Sequence, residues 1–131
     1  MKMNMRKLLP LFLSALMFTG CAASQKQEIT YRSISMDEAV RMMESESGYI
    51  ILDVRRPDEF AAGHIPGAIN VANETIGTAE IPELPDKNQL IFVYCRSGRR
   101  SKEASEKLVK LGYANIVEFG GILDWKGEIE T

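Results

Sequence analysis

Seven consecutive residues, Cys95-Arg96-Ser97-Gly98-Arg99-Arg100-Ser101, combine one thiol, three permanent positive charges, two hydroxyls and a glycine. They follow an apolar run and precede a stretch with helical spacing, so the segment reads as a loop between a buried strand and a helix N-terminus. Unpaired amides and the positive end of the helix dipole converge at such a place. Gly98 permits tight curvature, and successive N–H groups around it would form a concavity for an anion. Both the amides and the arginines favour a sulfur that carries negative charge, so Cys95 is expected to titrate below the free value of about 8.5 and to act as a nucleophile. The competing readings are a small buried apolar cysteine and a solvated arginine face, and the coincidence of thiol and arginines counts against both.

The other cysteine, Cys21, closes a different pattern. Lys2, Arg6 and Lys7 precede thirteen uncharged residues, Leu8 to Gly20, a run too short for the roughly 20 residues that a membrane-spanning helix needs. A basic start and a short apolar core have the layout of an export signal. Phe18-Thr19-Gly20-Cys21 resembles the lipobox of bacterial lipoprotein signals, with Phe18 in place of the usual Leu. The resemblance implies a leader over residues 1–20, a lipidated Cys21 followed by a polar tether to residue 29, and a folded domain over 30–131. The product would be exported and held on a bacterial membrane by fatty chains, two of which suffice for stable anchoring. Loss of the leader would lower the formal net charge from −2 to −5, so charge would not hold it to anionic lipid. With the Cys21 sulfur consumed, Cys95 would be a solitary thiol and no disulfide could form within the chain.

Elements that could position the loop are legible around it. Thr30–Ile34 is a plausible first strand, and Ser35-Met36-Asp37-Glu38 has the form of a capping box ahead of Met36, Ala39, Val40 and Met43 at helical spacing. Tyr49–Val54, interrupted only by Asp53, and Leu90–Tyr94 read as strands buried on both faces. Arg56–Ala62 is a short helix with Pro57 in its first turn and Gly63 beyond. Ala68–Val71 is a further short strand, and residues 72–88 read as loop with one helical turn. Ser101–Leu111 is an amphipathic helix with Ala104, Leu108 and Leu111 inward and Gly112 as its stop. Ile116–Phe119 and Ile122–Lys126 complete the chain as strand and short helix. Strands alternating with helices predict an α/β domain with a mostly parallel sheet of about five strands, covered by helices on both faces.

Composition narrows the function. The 131 residues are 45% apolar and 26% charged, ordinary for one folded domain. With 16 Lys+Arg against 18 Asp+Glu, the chain lacks the excess of a nucleic-acid binder. One histidine and two distant cysteines make a structural zinc site improbable, and no metal is expected.

Cys95–Ser101 looks like the active-site loop of single-domain rhodaneses, the thiosulfate-type sulfurtransferases. Leu52-Asp53-Val54-Arg55, Glu59-Phe60 and Gly63-His64-Ile65-Pro66-Gly67-Ala68-Ile69-Asn70 resemble the family's N-terminal signature, and Phe119-Gly120-Gly121-Ile122-Leu123-Asp124-Trp125 its C-terminal one. The motifs stand in the family's order and spacing over about residues 34–128. The resemblance implies a three-layer rhodanese-like domain and a ping-pong transfer of sulfane sulfur through a Cys95 persulfide. The donor would be a small anion such as thiosulfate, the acceptor cyanide or a thiol, with no organic cofactor. Arg96, Ser97, Gly98, Arg99, Arg100 and Ser101 would hold the donor. A monomer without nucleic-acid partners is expected, with the membrane reached through the lipid. Phosphatases and arsenate reductases on related scaffolds use a Cys-x5-Arg loop. Here Ser101 stands at the sixth position after Cys95 and Arg100 comes one place early, which suits a single sulfur atom better than a tetrahedral oxyanion. The alternative from another class is a tethered sulfur-carrier or binding module with little turnover.

The remaining signature residues have structural readings. Asp53 ends a buried strand, so its carboxylate needs partners: loop amides, Ser101 or Arg55. Asp53 and Arg55 are therefore expected to support the loop, with Arg55 also ion-paired to Asp58 or Glu59. His64 is expected to fix a turn by hydrogen bonding, and Trp125 to pack in the core or at its rim.

Overall fold

A computed structural model describes residues 30–131. The expected leader over residues 1–20, Cys21 and the expected tether to residue 29 lie outside the described residues. Five strands form one sheet: β1 (Arg32–Ser33), β2 (Ile50–Asp53), β3 (Ile69–Asn70), β4 (Ile91–Cys95) and β5 (Ile116–Gly121). All pair in parallel in the order β1-β5-β4-β2-β3. Helix α1 (Met36–Ser45), α2 (Pro57–Ala62) and α3 (Arg99–Lys110) fill the crossovers, with 3₁₀ turns at Asn73–Thr75 and Ile122–Asp124. This is the expected α/β three-layer arrangement.

Strand alternation sorts the core into two halves. Leu52, Val54, Ile91, Val93, Cys95 and Ile116 face α3, where Ala104 and Leu108 meet them beneath Ile76, Ile81 and Leu84 of the long loop. Ile51, Phe92, Tyr94, Val117 and Phe119 face the other way, against Ala39 of α1, Phe60 of α2 and Ile65 beyond it. Both faces of β4 are thus buried, as its unbroken apolar run requires. Leu111, expected inward, is the half-buried C-cap of α3. At the entry to α1, Ser35 Oγ accepts from Glu38 N–H at 3.2 Å, half of the capping box read in the sequence.

Helix α3 begins at Arg99, two residues before the expected start. Gly98 is its N-cap with φ of 119°, a left-handed conformation that turns the chain straight from strand into helix. Between β2 and β4 the connections leave in opposite directions, β2 toward β3 and β4 toward β5. A crevice opens at the carboxyl ends of strands at such a reversal, and Cys95 ends β4 there.

A bidentate ion pair joins α2 to α3 across this crevice: Arg100 Nη1 and Nη2 donate to the two Glu59 carboxylate oxygens at 2.6 and 3.0 Å. The Arg100 hydrogen bond is the largest cause holding the Glu59 carboxyl down to about 2. A lowered folded-state pKa gives stability that is present above the ordinary value of 4.5 and is lost as pH falls toward 2. Glu59→Gln is therefore expected to be less stable than the parent near pH 6, with the difference vanishing by pH 2 in urea denaturation series; a difference independent of pH would refute the pairing.

Candidate active site

Cys95 is 1% exposed, and its sulfur lies at the floor of a cleft of about 340 Å³ lined by Arg56, Glu74, Arg96, Ser97, Arg99 and Arg100. Access to the sulfur is through this mouth. Gly98 N–H donates to Sγ at 3.0 Å, closing the turn that the left-handed glycine makes possible. No side chain caps α3, so its first-turn amides remain without intrahelical partners on the side of the loop. Ser101 Oγ stands 3.5 Å from Sγ, also within hydrogen-bond reach for sulfur.

The loop is held down by backbone packing on β5. Val93 pairs with Glu118, whereas Cys95 pairs with Gly121, so β5 carries one extra residue as a bulge. The bulge brings Gly121 against the loop, where a Cβ would fall 2.0 Å from the Arg96 carbonyl oxygen. Leu123 N–H donates to that same carbonyl at 3.3 Å. No side chain is tolerated at this contact, which gives the second glycine of Phe119-Gly120-Gly121 its purpose.

The arginines do not act as one pool of charge. Arg100 is bound by Glu59, Arg99 Nη1 by Glu103 Oε1 at 2.8 Å, and Arg56 by Asp58 at 3.1 Å and Glu59 at 3.5 Å. Glu59, Cys95 and Glu74 all raise the Arg100 pKa further, with the Glu59 hydrogen bond first. Among the described residues, Arg96 alone of the mouth arginines makes no salt bridge. Sequence pointed to three arginines equally, but the carboxylates that distinguish them come from distant α2 and from one turn along α3.

Asp53 finds one of its expected partners, Arg55, but the pair does not support the loop. Asp53 is fully buried on the sheet face opposite Cys95, and makes no hydrogen bond to residues 96–101. Its partner is Arg55, through the backbone N–H at 2.8 Å and through Nε and Nη2 at 2.7–3.1 Å. Arg55 pairs with Asp53 rather than with Asp58 or Glu59, and its Nη2 also donates to Gly63 O at 2.6 Å. Parity is the reason: residues 51 and 53 point away from α3, so Asp53 cannot reach Ser101. The pair instead fastens the far end of α2, and only through α2 and Glu59 does this bear on Arg100. His64 fixes the following turn as expected, stacked on Phe60 with Nδ1 2.9 Å from Phe60 O and its backbone bridged to Glu130. Trp125 packs at the rim of the α1 side, with Met36 and Val40, away from the Cys95 cleft.

Glu118 was missed. It is a buried acid in the middle of β5, accepting from Ser33 Oγ at 2.6 Å, Ser101 Oγ at 2.7 Å and Gly120 N–H at 2.8 Å. A signal was available: one acid inside the apolar run Ile116-Val117-Glu118-Phe119 has to find buried donors.

The sequence pattern of the rhodanese-like domain matches residues 35–128. Thiosulfate sulfurtransferase PspE of Escherichia coli is 37% identical over 73 residues, which cover 56% of this chain and 70% of that protein. A sulfurtransferase of Allochromatium vinosum is 34% identical over 99 residues, covering 75% of this chain and 86% of its own. The solved structure of a rhodanese with anions from E. coli superposes with a TM-score of 0.58 at 32% identity, over 63% of this chain and 98% of that one. Other relatives are longer, and the chain spans as little as 27% of their length. The parallel sheet, the cysteine at its topological switch and the match across residues 35–128 agree: the chain belongs to the rhodanese-like domain family, with sulfurtransferases among its relatives.

Proposed function

We propose that this protein is a sulfurtransferase that passes a sulfane sulfur from a small anionic donor such as thiosulfate to cyanide or a thiol through Cys95. The observation that carries the reading is a single sulfur at the floor of a basic cleft, facing the Gly98 amide and an uncapped helix N-terminus. Dipoles fixed there before reaction stabilise negative charge on sulfur without reorganising. The Cys95 thiolate attacks the outer sulfur of thiosulfate; a bond from Sγ to that sulfur forms, the donor's sulfur–sulfur bond breaks, and its electron pair leaves with sulfite. The outer persulfide sulfur then takes the place next to the loop amides. Cyanide carbon attacks that sulfur, and thiocyanate and the thiolate result. Arg96, free of a carboxylate among the described residues, receives the donor's sulfonate end, while Arg100 is occupied by Glu59 and shapes the wall.

The membrane location belongs to the same proposal and rests on the lipobox-like Phe18-Thr19-Gly20-Cys21. An exported domain with one free thiol would meet sulfur donors outside the cytoplasm, held to a bacterial membrane by a lipidated Cys21. Cells grown with labelled palmitate are expected to label the parent protein and not Cys21→Ala; label retained by the variant refutes the anchor.

Intact mass reads the chemistry directly. Mixing with thiosulfate is expected to add the mass of one sulfur atom, removed again by cyanide, and Cys95→Ser is expected to gain none. No added sulfur on the parent protein refutes the transfer, and sulfur that loads without steady-state thiocyanate turnover makes the domain a carrier instead. Arg96→Ala is expected to raise KM for thiosulfate about three- to tenfold, as for loss of one partly exposed charge contact. Arg99→Ala, whose charge is already shared with Glu103, is expected to change KM less; steady-state rates of thiocyanate formation make the comparison.

A further inference from the structure

Glu118 has 1% of its surface exposed, and the sulfur transfer proposed above gives it no task. Its two oxygens accept from Ser33, Ser101 and Gly120, and Ser101 Oγ is in turn 3.5 Å from Cys95 Sγ. The Ser101 hydroxyl has one proton and three oxygen acceptors about it: Glu118 Oε1 at 2.7 Å, Gly98 O at 2.9 Å and Gly120 O at 3.3 Å. The ionised carboxylate is the nearest and the strongest. With its proton committed to Glu118, Ser101 Oγ can only accept from the Cys95 thiol. A continuous path then runs from Sγ–H through the hydroxyl to a carboxylate.

Sγ and the Glu118 carboxylate lie within about 6 Å of each other, both out of water, where two negative charges oppose one another. Loss of the thiol proton to solvent would create that double charge. Passing it inward would not. We propose that Glu118 is the positioning residue that stores the Cys95 proton, relayed by Ser101, whenever the sulfur is ionised. The S–H bond breaks as Ser101 Oγ gains that proton, and the original Ser101 O–H bond breaks as Glu118 Oε1 gains the other. The products are the thiolate and a neutral carboxylic acid, with no change of oxidation state and one negative charge before and after. Ser101 then accepts from Glu118 and donates to the thiolate, a contact the resting arrangement forbids.

Other ionisable groups stand near this unit without entering it. Tyr31, ahead of β1, has its phenol pushed up by burial first and then by Glu106 of α3 and by Glu118. Arg100 feels Cys95 but is hydrogen-bonded to Glu59. Neither Tyr31, Glu106 nor Arg100 hydrogen-bonds to the Glu118 carboxylate or to Sγ.

The inference rests on Cys95 being the reacting sulfur, and its test reads the thiol rather than the transfer. Iodoacetamide alkylation of Cys95, followed by the mass of its peptide across pH, is expected to rise in two steps in the parent protein, because the pair shares one proton. Glu118→Gln keeps the size and an acceptor oxygen but cannot store the proton, and is expected to show one step. Ser33→Ala, at an exposed strand position, removes a donor from the carboxylate, raises its hold on the proton, and is expected to speed alkylation near pH 7 about threefold. A single step in the parent, two steps in Glu118→Gln, or unchanged or slower alkylation in Ser33→Ala overturns the proposal; if the Gln variant does not fold, the other two readings decide it. Failure of thiosulfate to load the parent protein would instead overturn the sulfur transfer and leave the alkylation result standing.

Discussion

The approach of backbone to backbone between Arg96 and Gly121 sets where everything else in the site can lie. A Cβ at residue 121 would sit 2.0 Å from the Arg96 carbonyl oxygen, so the loop and β5 touch without an intervening side chain. Because the loop is pressed onto the sheet, the chain must reverse at once after β4, and it does so through the left-handed Gly98. That reversal aims the Gly98 amide back at the sulfur and starts α3 at Arg99, with its free amides beside the cleft. A looser contact would let the loop rise and would separate the sulfur from the dipoles that face it. The β5 bulge is thus a device for seating the loop, consistent with the tendency of bulges to occur beside functional sites.

Charge at the mouth is graded rather than summed. A cluster of guanidinium groups with no carboxylates would repel itself and would lie loosely over the opening. Glu59 and Glu103 reduce that repulsion by pairing with Arg100 and Arg99, and leave Arg96 without a carboxylate partner among the described residues. Glu74 adds a negative group to the same rim, which limits how much anionic charge the cleft can welcome. Under the proposed function, selection for a small anion would follow from one cation without a carboxylate partner among the described residues, together with the loop amides around the sulfur.

The sequence exposed what depends on local pattern and hid what depends on contact across the fold. Apolar runs bounded by turns located the strands that flank the site within a residue or two, and the thiol beside glycine and arginines marked the loop. The start of α3 was placed two residues late because Arg99 and Arg100 carry no apolar periodicity, while Gly98 makes them helical. The Glu59 partner of Arg100 was not foreseen, and Asp53 was wrongly given a place under the loop, because both depend on tertiary placement: Glu59 is 41 residues from Arg100, and strand parity turns Asp53 away from the loop. Glu118 was visible as an acid among apolar neighbours, but its donors come from β1, α3 and the bulge, none of which declares itself locally.

Strand parity also explains why the two buried acids of the domain have such different surroundings. Asp53 meets a guanidinium, which compensates its charge permanently and makes it a clamp on α2. Glu118 meets only neutral donors: two hydroxyls and an amide. Neutral donors solvate a carboxylate without cancelling it, so its charge remains available to anything that shares the hydroxyl. A guanidinium at that position would bind the carboxylate outright and free Ser101 to pair with the sulfur regardless of its protonation. The charge is left uncancelled one hydroxyl away from Cys95, the arrangement on which the proposed proton relay rests.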